Sequence, residues 1–382
     1  MLTDPAQINK PALLITRFPY ESSWGGEESH TLSIARHFRD QGHEVVFMGS
    51  CQILLEKFKE QGFETKKVWA GKMIVSKFQL LKSFILFPFM KRSLKKSFKK
   101  LLKTHEIKYL YCLSLNEKLF LTPYAIKENI SVTWVEHQEI RNWLLKSPWR
   151  KLYKKNSEKV SVVPISKMNE KQLLEDIKVS SENIQFIVNG IDVDTDPVKT
   201  KKEVGSIVFA NRLIPKKGVM DFLECLKMNI DIFKDKKIYI VGEGEQRSEA
   251  EKFEHENLSK LDVRFLDYLK NENWKALLEK ADIFVSCARD NNETFSLNTA
   301  EALSKSCKVV VTRCSGIASF LVDKKEAFLC EPKSPEDLAK KIQEAMTAPN
   351  AIREMASQAA KRKFDKKNML KEYYQLITRI HD

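Results

Sequence analysis

Short apolar runs alternate with longer helix-like segments in two series along the 382 residues, and this pattern most limits what the chain can fold into. Residues 12–18 (ALLITRF) read as a buried strand. In the segment that follows, Leu32, Ile34, Ala35 and Phe38 fall roughly on one helical face, Gly42 closes the helix, and residues 43–48 (HEVVFM) resume a strand. Further runs stand at 109–113 (YLYCL), 131–135 (SVTWV) and 160–165 (VSVVPI). The second series is SIVFA (206–210), KIYIV (237–241), VRFL (263–266), DIFVS (282–286) and KVVVT (308–312). Strands written as continuous apolar runs between helices are buried on both faces, so each series predicts an α/β domain with a parallel sheet.

Between the series, residues 192–205 (DVDTDPVKTKKEVG) carry turn formers and charge with almost no apolar periodicity. The expected division is residues 1–192, a linker at 193–205, residues 206–365, and a C-terminal helix at 366–382 packing back on the first domain. A chain of this length exceeds one ordinary core, and two domains imply a cleft. Seven scattered cysteines with no C-x-x-C pair fit a reduced, intracellular setting. The polar N-terminus and the seven-residue apolar run 84–90, broken by Pro88, predict neither a signal peptide nor a membrane span.

Ligands of open α/β sheets sit outside the carboxyl ends of the strands, so the loops after the second-series strands are the ones to read for function. The loop after SIVFA is NRLIPKKG (211–218), with Arg212 and Lys217 five positions apart. A planar guanidinium and a mobile ammonium can grip the oxygens of a diphosphate, and solvated charges in a basic protein give the same pattern. After KIYIV, Gly242 and Gly244 lack the third glycine of a dinucleotide fingerprint, because Arg247 stands in its place, which argues against NAD. After DIFVS comes NNETFSLNTAEAL (291–303), where Glu293 and Glu301 are separated by seven residues. A helix beginning near Ser296 to Asn298 would aim free N–H groups at a phosphate. Glu293 would then face what the phosphate is attached to, and Glu301, one turn inside, could accept from a vicinal diol. A capping box between Asn298 and Glu301 is the alternative reading of that spacing.

Taken in order, NGID (189–192), NRLIPKKG, VGEGEQR (241–247), the paired glutamates and VVVTRCSGIASFLVD (309–323) resemble the GT-B retaining glycosyltransferases of family 4, related to sucrose and mannosyl transferases. In the first half, FPYESSWGGEESHTLSIARHFRDQGHEV resembles that family's glycine-rich loop and first helix, and WVEHQEI (134–140) its histidine-bearing strand end. The resemblance implies a GT-B fold of two Rossmann-like doubly wound domains facing each other across a cleft, and a hexosyltransferase using a UDP-, GDP- or other nucleoside-diphosphate sugar. It implies Arg212 and Lys217 on the donor diphosphate and Glu293 on donor-sugar hydroxyls. Glu301 would take the ribose diol, and Phe295, Ser296, Leu297 and Asn298 the phosphates through main-chain N–H groups. His137 would touch the donor sugar near the reacting carbon, while Gly25 and Gly26 let their loop approach donor and acceptor, and Gly242 also lies in a donor loop. Ser296, Ser315 and Ser319 depart from the family's usual glycine, glycine and acid.

Retaining transfer in that family is thought to proceed on one face of the sugar, the leaving phosphate taking the acceptor proton. No protein nucleophile and no metal are then expected. The D-x-D pattern of Asp192 and Asp194 lies in the linker. The implied acceptor is a glycan or lipid-linked molecule of surface polysaccharide or glycolipid synthesis. A sugar-nucleotide epimerase of the same fold, or a sugar-nucleotide-binding subunit without chemistry, are the other readings.

The net charge of +14 is concentrated, since residues 65–105 hold eleven lysines, Arg92 and no acid. Within them Met90, Leu94, Phe98, Leu101 and Leu102 fall on one helical side. Lys91, Arg92, Lys95, Lys96, Lys99, Lys100 and Lys103 predict adsorption of a cytoplasmic protein to an anionic membrane, with that apolar side inserted. A domain helix with the same side in the core is the alternative. No recognition fold or stacking platform for nucleic acid accompanies the charge.

Overall fold

The computed structural model describes residues 10–19, 24–70, 77–137, 140, 142–193, 201–269, 271–291 and 293–379. Several sequence features lie outside the described residues: part of the loop before Trp24, part of WVEHQEI, Asp194 with most of the expected linker, and Asn292. The chain divides into two compact units, residues 1–187 with 369–382, and residues 188–368.

The first unit is built on β1 (Lys10–Arg17), β2 (His43–Gly49), β3 (Glu64–Lys67), β4 (Ile107–Cys112), β5 (Ser131–Glu136) and β6 (Ser161–Pro164). The second is built on β7 (Glu203–Ala210), β8 (Lys237–Val241), β9 (Asp262–Leu266), β10 (Ala281–Ser286), β11 (Lys308–Thr312) and β12 (Phe328–Cys330). The spatial orders are β3-β2-β1-β4-β5-β6 and β12-β11-β10-β7-β8-β9. Counted within its own unit, each sheet has the order 3-2-1-4-5-6, and every recorded pairing is parallel. This is the doubly wound α/β architecture twice over, as expected.

Both predicted series of strands are present, and the two unannounced members, β3 and β12, are edge strands. β3 (ETKK) is polar and largely exposed, and β12 has three residues, so neither writes an apolar run. Each sheet is covered by helices on both faces, giving two apolar clusters per unit. The cluster on one side of the first sheet includes Met369, Tyr373 and Ile377 of the helix Lys366–Thr378, which packs on that unit. Residues Val188 to Val193 group with the second unit, where Ile191 pairs with Asp365.

The helix Lys77–Leu101 corrects one reading. Met90, Leu94, Phe98 and Leu101 are buried in the core of the first unit and cannot insert into a membrane. Lys91 and Lys95 lie over the Tyr124 ring, whereas Arg92, Lys96, Lys99, Lys100 and Lys103 are exposed. Among the described residues no helix is long and apolar enough to cross a membrane.

Candidate active site

In a sheet of this order, the connections leaving the first and fourth strands depart to opposite faces and open a crevice at the carboxyl edge. In the second unit these strands are β7 and β10, which pair with each other. The loops that follow them carry NRLIPKKG and the residues around Glu293.

Lys217 Nζ donates to Glu293 Oε1 at 2.5 Å, Asn211 Nδ2 donates to the same oxygen at 3.4 Å, and Ser315 Oγ donates to Oε2 at 2.7 Å. Burial pushes the Glu293 carboxyl up, but the Lys217 ammonium and the Ser315 and Asn211 donors outweigh it, holding the group below the ordinary carboxylate range. Gly316 N–H donates to the Glu293 carbonyl at 2.7 Å, and a Cβ on Gly316 would stand 1.9 Å from the Thr294 carbonyl oxygen. Only glycine fits there. Arg212 is exposed, and among the described residues its guanidinium makes no ion pair.

The helix Leu297–Ser304 starts where expected, with Ser296 as its cap, accepting from Thr299 N–H at 3.4 Å and Thr299 O–H at 2.7 Å. The amides of Leu297 and Asn298 come first in the helix and have no intrahelical acceptor, so they carry its positive end. Asn298 Nδ2 donates to the Ala210 carbonyl at 3.1 Å, tying this helix start to the end of β7. Asn298 therefore does not cap the helix with Glu301. Glu301 Oε2 instead accepts from Trp274 Nε1 at 2.6 Å, and burial raises its carboxyl against the pull of that donor. Phe295 packs against Phe364.

Gly242 has φ +133°, and a Cβ there would meet the Asn211 carbonyl oxygen at 2.0 Å. Its glycine is required by the approach of the β8 loop to the β7 loop. Arg247, in place of a third glycine, donates to the Gly242 and Leu266 carbonyls at 3.0 and 3.1 Å. Asp192 accepts from Lys366 at 2.5 Å.

In the first unit the corresponding strands are β1 and β4. Arg17, the last residue of β1, pairs with Glu27 at 2.9 Å and Glu28 at 3.6 Å, and donates to Ser114 Oγ at 3.3 Å. Both glutamates lie in the first turn of the helix Gly26–Asp40, whose cap is the extended Gly25. Glu117 Oε1 accepts from Leu113 N–H at 3.1 Å and Ser114 N–H at 2.6 Å, and burial pushes its carboxyl up to about 7. Lys118 Nζ donates to the Val135 carbonyl and to Glu136 Oε1, each at 2.7 Å, and Tyr153 O–H donates to Glu136 at 2.5 Å. His137 follows directly after β5, its ring 4.9 Å from that of His30. Burial, then Arg17 and Lys118, pull the His137 imidazole down to about 3, so it is neutral at physiological pH.

Among the described residues, Glu44, Glu64 and His105 lie close enough together to hold a metal ion. They stand at the amino-terminal edge of the first sheet, away from the carboxyl edge that carries His137.

The family model described as Glycosyltransferase Family 4 matches residues 24–195, and the model described as Glycosyl transferases group 1 matches residues 192–363. The chain belongs to the group 1/family 4 glycosyltransferases. Two relatives from Methanocaldococcus jannaschii, each described as an uncharacterized glycosyltransferase, are 26% identical over 190 residues and 21% identical over 201 residues. These matches span about half of this chain and about half the length of each relative. Among solved structures, a glycosyltransferase from Rickettsia africae superposes with a TM-score of 0.80 at 18% identity, covering 97% of this chain and 99% of the other. The Anabaena protein HepE, solved in complex with UDP, gives 0.75 at 14% identity over 96% and 99%. The GT-B fold inferred from the motifs therefore stands.

For a family 4 chain, the departures at serine are integrated into the geometry: Ser296 caps the helix and Ser315 holds Glu293. Sequence reading missed the partners. Trp274 lies in an ordinary amphipathic helix, and Asn211 is an uncharged residue in a loop whose charges stand out. In the first unit Arg17, Glu117 and Lys118 look like surface charges until the fold buries them. The one available signal was an arginine ending a strand otherwise apolar.

Proposed function

We propose that this chain is a retaining glycosyltransferase that moves a hexose from a nucleoside-diphosphate sugar to a glycan or lipid-linked acceptor. The observation that carries the reading is the Lys217–Glu293 pair, held beside the open amides of Leu297 and Asn298 at the switch point of the second sheet. A carboxylate that can accept from sugar hydroxyls, an ammonium and a helix start side by side match the order sugar, phosphate, phosphate. UDP and UDP-glucose occupy complexes of HepE, which shares the fold, and support a uridine diphosphate sugar as the first donor to test.

As the bond between the anomeric carbon and the diphosphate oxygen breaks, negative charge builds on the leaving group. Lys217 and the helix amides are fixed before that happens, which is the condition under which such groups lower a barrier. Arg212, exposed and without an ion pair among the described residues, is free to turn onto the phosphates. The acceptor oxygen attacks from the face the diphosphate leaves, and its proton passes to a diphosphate oxygen, so no protein nucleophile is used. His137 of the first unit, neutral at working pH, does not act as an acid. Glu301, steadied by Trp274, takes the ribose diol. The protein's own cations and amides compensate the charge in this reading, without a metal. A lipid-linked acceptor is met at a membrane surface, and the twelve cations of residues 65–105 suit that setting.

Transfer from UDP-sugars should fall on the order of 10²-fold in Arg212→Ala or Lys217→Ala with folding retained, and should persist in a chelator. Near-normal transfer by the Lys217 variant would remove the assignment.

A further inference from the structure

The helix Lys77–Leu101 buries one side at Met90, Leu94, Phe98 and Leu101, and among the described residues the opposite side is exposed from Phe78 to Lys100. On its first half the open side is mainly apolar: Phe78, Leu81, Ile85 and Phe89 keep 66%, 66%, 74% and 65% of their surface exposed, with Lys82 beside them, its ammonium 4.5 Å over the Phe78 ring and its stem able to carry that charge up to the headgroups. At about 100° per residue, the spacing of three, four and four puts these four on one stripe roughly 16 Å long. On the second half the same side continues as Arg92, Lys96, Lys99 and Lys100, all exposed. Trp69, half exposed, lies at the junction, where its carbonyl accepts from Ser93 Oγ at 2.7 Å.

Single exposed apolar side chains are ordinary on a soluble surface, but a contiguous stripe marks a binding surface. Folding does not need the stripe, because Met90, Leu94 and Phe98 already fix the helix to the core. A second copy of the chain is disfavoured as occupant. A two-fold contact through the stripe would cover the apolar half and leave Arg92, Lys96, Lys99 and Lys100 unpaired by the facing helix, because residues 65–105 offer no acid. Nucleic acid would take the cations and leave the stripe in water. An anionic bilayer takes both, with the stripe at the boundary of headgroups and acyl chains and the cations on the headgroups. Tryptophan is favoured at that depth.

We propose that the outer side of the helix Lys77–Leu101 seats the protein on an anionic lipid bilayer, with Phe78, Leu81, Ile85 and Phe89 inserted and Arg92, Lys96, Lys99 and Lys100 on the headgroups. This extends the lipid-linked-acceptor reading above while standing on separate observations, and it replaces the buried side of the helix with the open one as the inserted face.

The test is co-sedimentation of the full chain with vesicles of phosphatidylcholine alone and of phosphatidylcholine with phosphatidylglycerol. The unchanged chain is expected to partition at least tenfold more strongly onto the anionic vesicles. The F78Q/L81Q/I85Q/F89Q variant should lose at least tenfold of that partition, and the K96Q/K99Q/K100Q variant should lose the preference for phosphatidylglycerol. Circular dichroism and UDP binding in solution should be unchanged in both variants, which separates this surface from the donor site. Equal partition by the unchanged chain and both variants overturns the proposal, as does absence of vesicle binding. A dimer in sedimentation velocity that the apolar variant dissociates also overturns it, assigning the stripe to a second copy. Vesicle binding without any sugar-nucleotide binding would sink the transferase reading and leave this one standing.

Discussion

At the scale of single residues, the second unit's site depends on how one buried carboxylate is kept charged. Glu293 has three side-chain donors, of which Ser315 is the one a family glycine would lack. Ser315→Gly should cost about 1 kcal/mol of stability, read from denaturant melts, and should weaken donor binding more than it slows turnover at saturation. Because the folded-state Glu293 carboxyl is depressed, its contribution to stability is present above the ordinary carboxylate range and is lost as pH falls through the lower folded value. Glu117 behaves oppositely. With its carboxyl raised to about 7, the folded chain binds more protons than the unfolded one from about pH 4.5 to about 7, so stability declines across that window as pH rises. Glu117→Gln keeps the oxygen that caps Leu113 and Ser114 and removes the slope. The variant should be more stable at pH 8 by roughly 1–3 kcal/mol and little changed at pH 4, and an equal gain at both would refute the buried-charge account.

At the scale of elements, two cases separate periodicity from placement. The helix Leu297–Ser304 was legible in its start, since a serine before an apolar repeat is a cap signal, but its spacing of Asn298 and Glu301 suggested a box that the fold does not use. Asn298 reaches β7 and Glu301 reaches Trp274, because both side chains have better partners on neighbouring elements than on their own helix. The helix Lys77–Leu101 was legible as amphipathic and basic, and its apolar side at residues 90–101 was visible in the sequence. Whether that side faced protein or lipid was not. Leu94→Ala should therefore cost about 3 kcal/mol in urea denaturation, whereas Ile85→Ala should stay within about 0.5 kcal/mol. Comparable losses at the two positions would contradict the assignment of inner and outer sides.

At the scale of the whole molecule, the two sheets repeat one strand order, and each puts its polar side chains at the loops after its first and fourth strands. In the second unit these loops hold a lysine and a helix start; in the first they hold Arg17 neutralised by Glu27 and Glu28. The same topology thus offers one site suited to an anion and one that is not. A UDP-sugar should raise the melting temperature of the full chain, with about 2.7 kcal/mol of stabilisation at a hundredfold excess over its dissociation constant. The Lys217→Ala variant should shift several degrees less at the same concentration, and an identical shift would place the nucleotide elsewhere.

The sequence by itself determined the class of fold, the two series of buried strands and the loops that carry Arg212, Lys217, Glu293 and Glu301, because apolar runs and helical periods are local properties of the chain. It left the edge strands β3 and β12 unwritten, since a polar or three-residue strand has no buried face to advertise. Only the tertiary structure decided which donors hold each glutamate, that Glu117 and Lys118 are interior, and which side of the helix Lys77–Leu101 stays open. Those outcomes depend on what packs opposite a side chain, and burial sets the strength of a charge or a hydrogen bond only after the neighbouring elements have arrived.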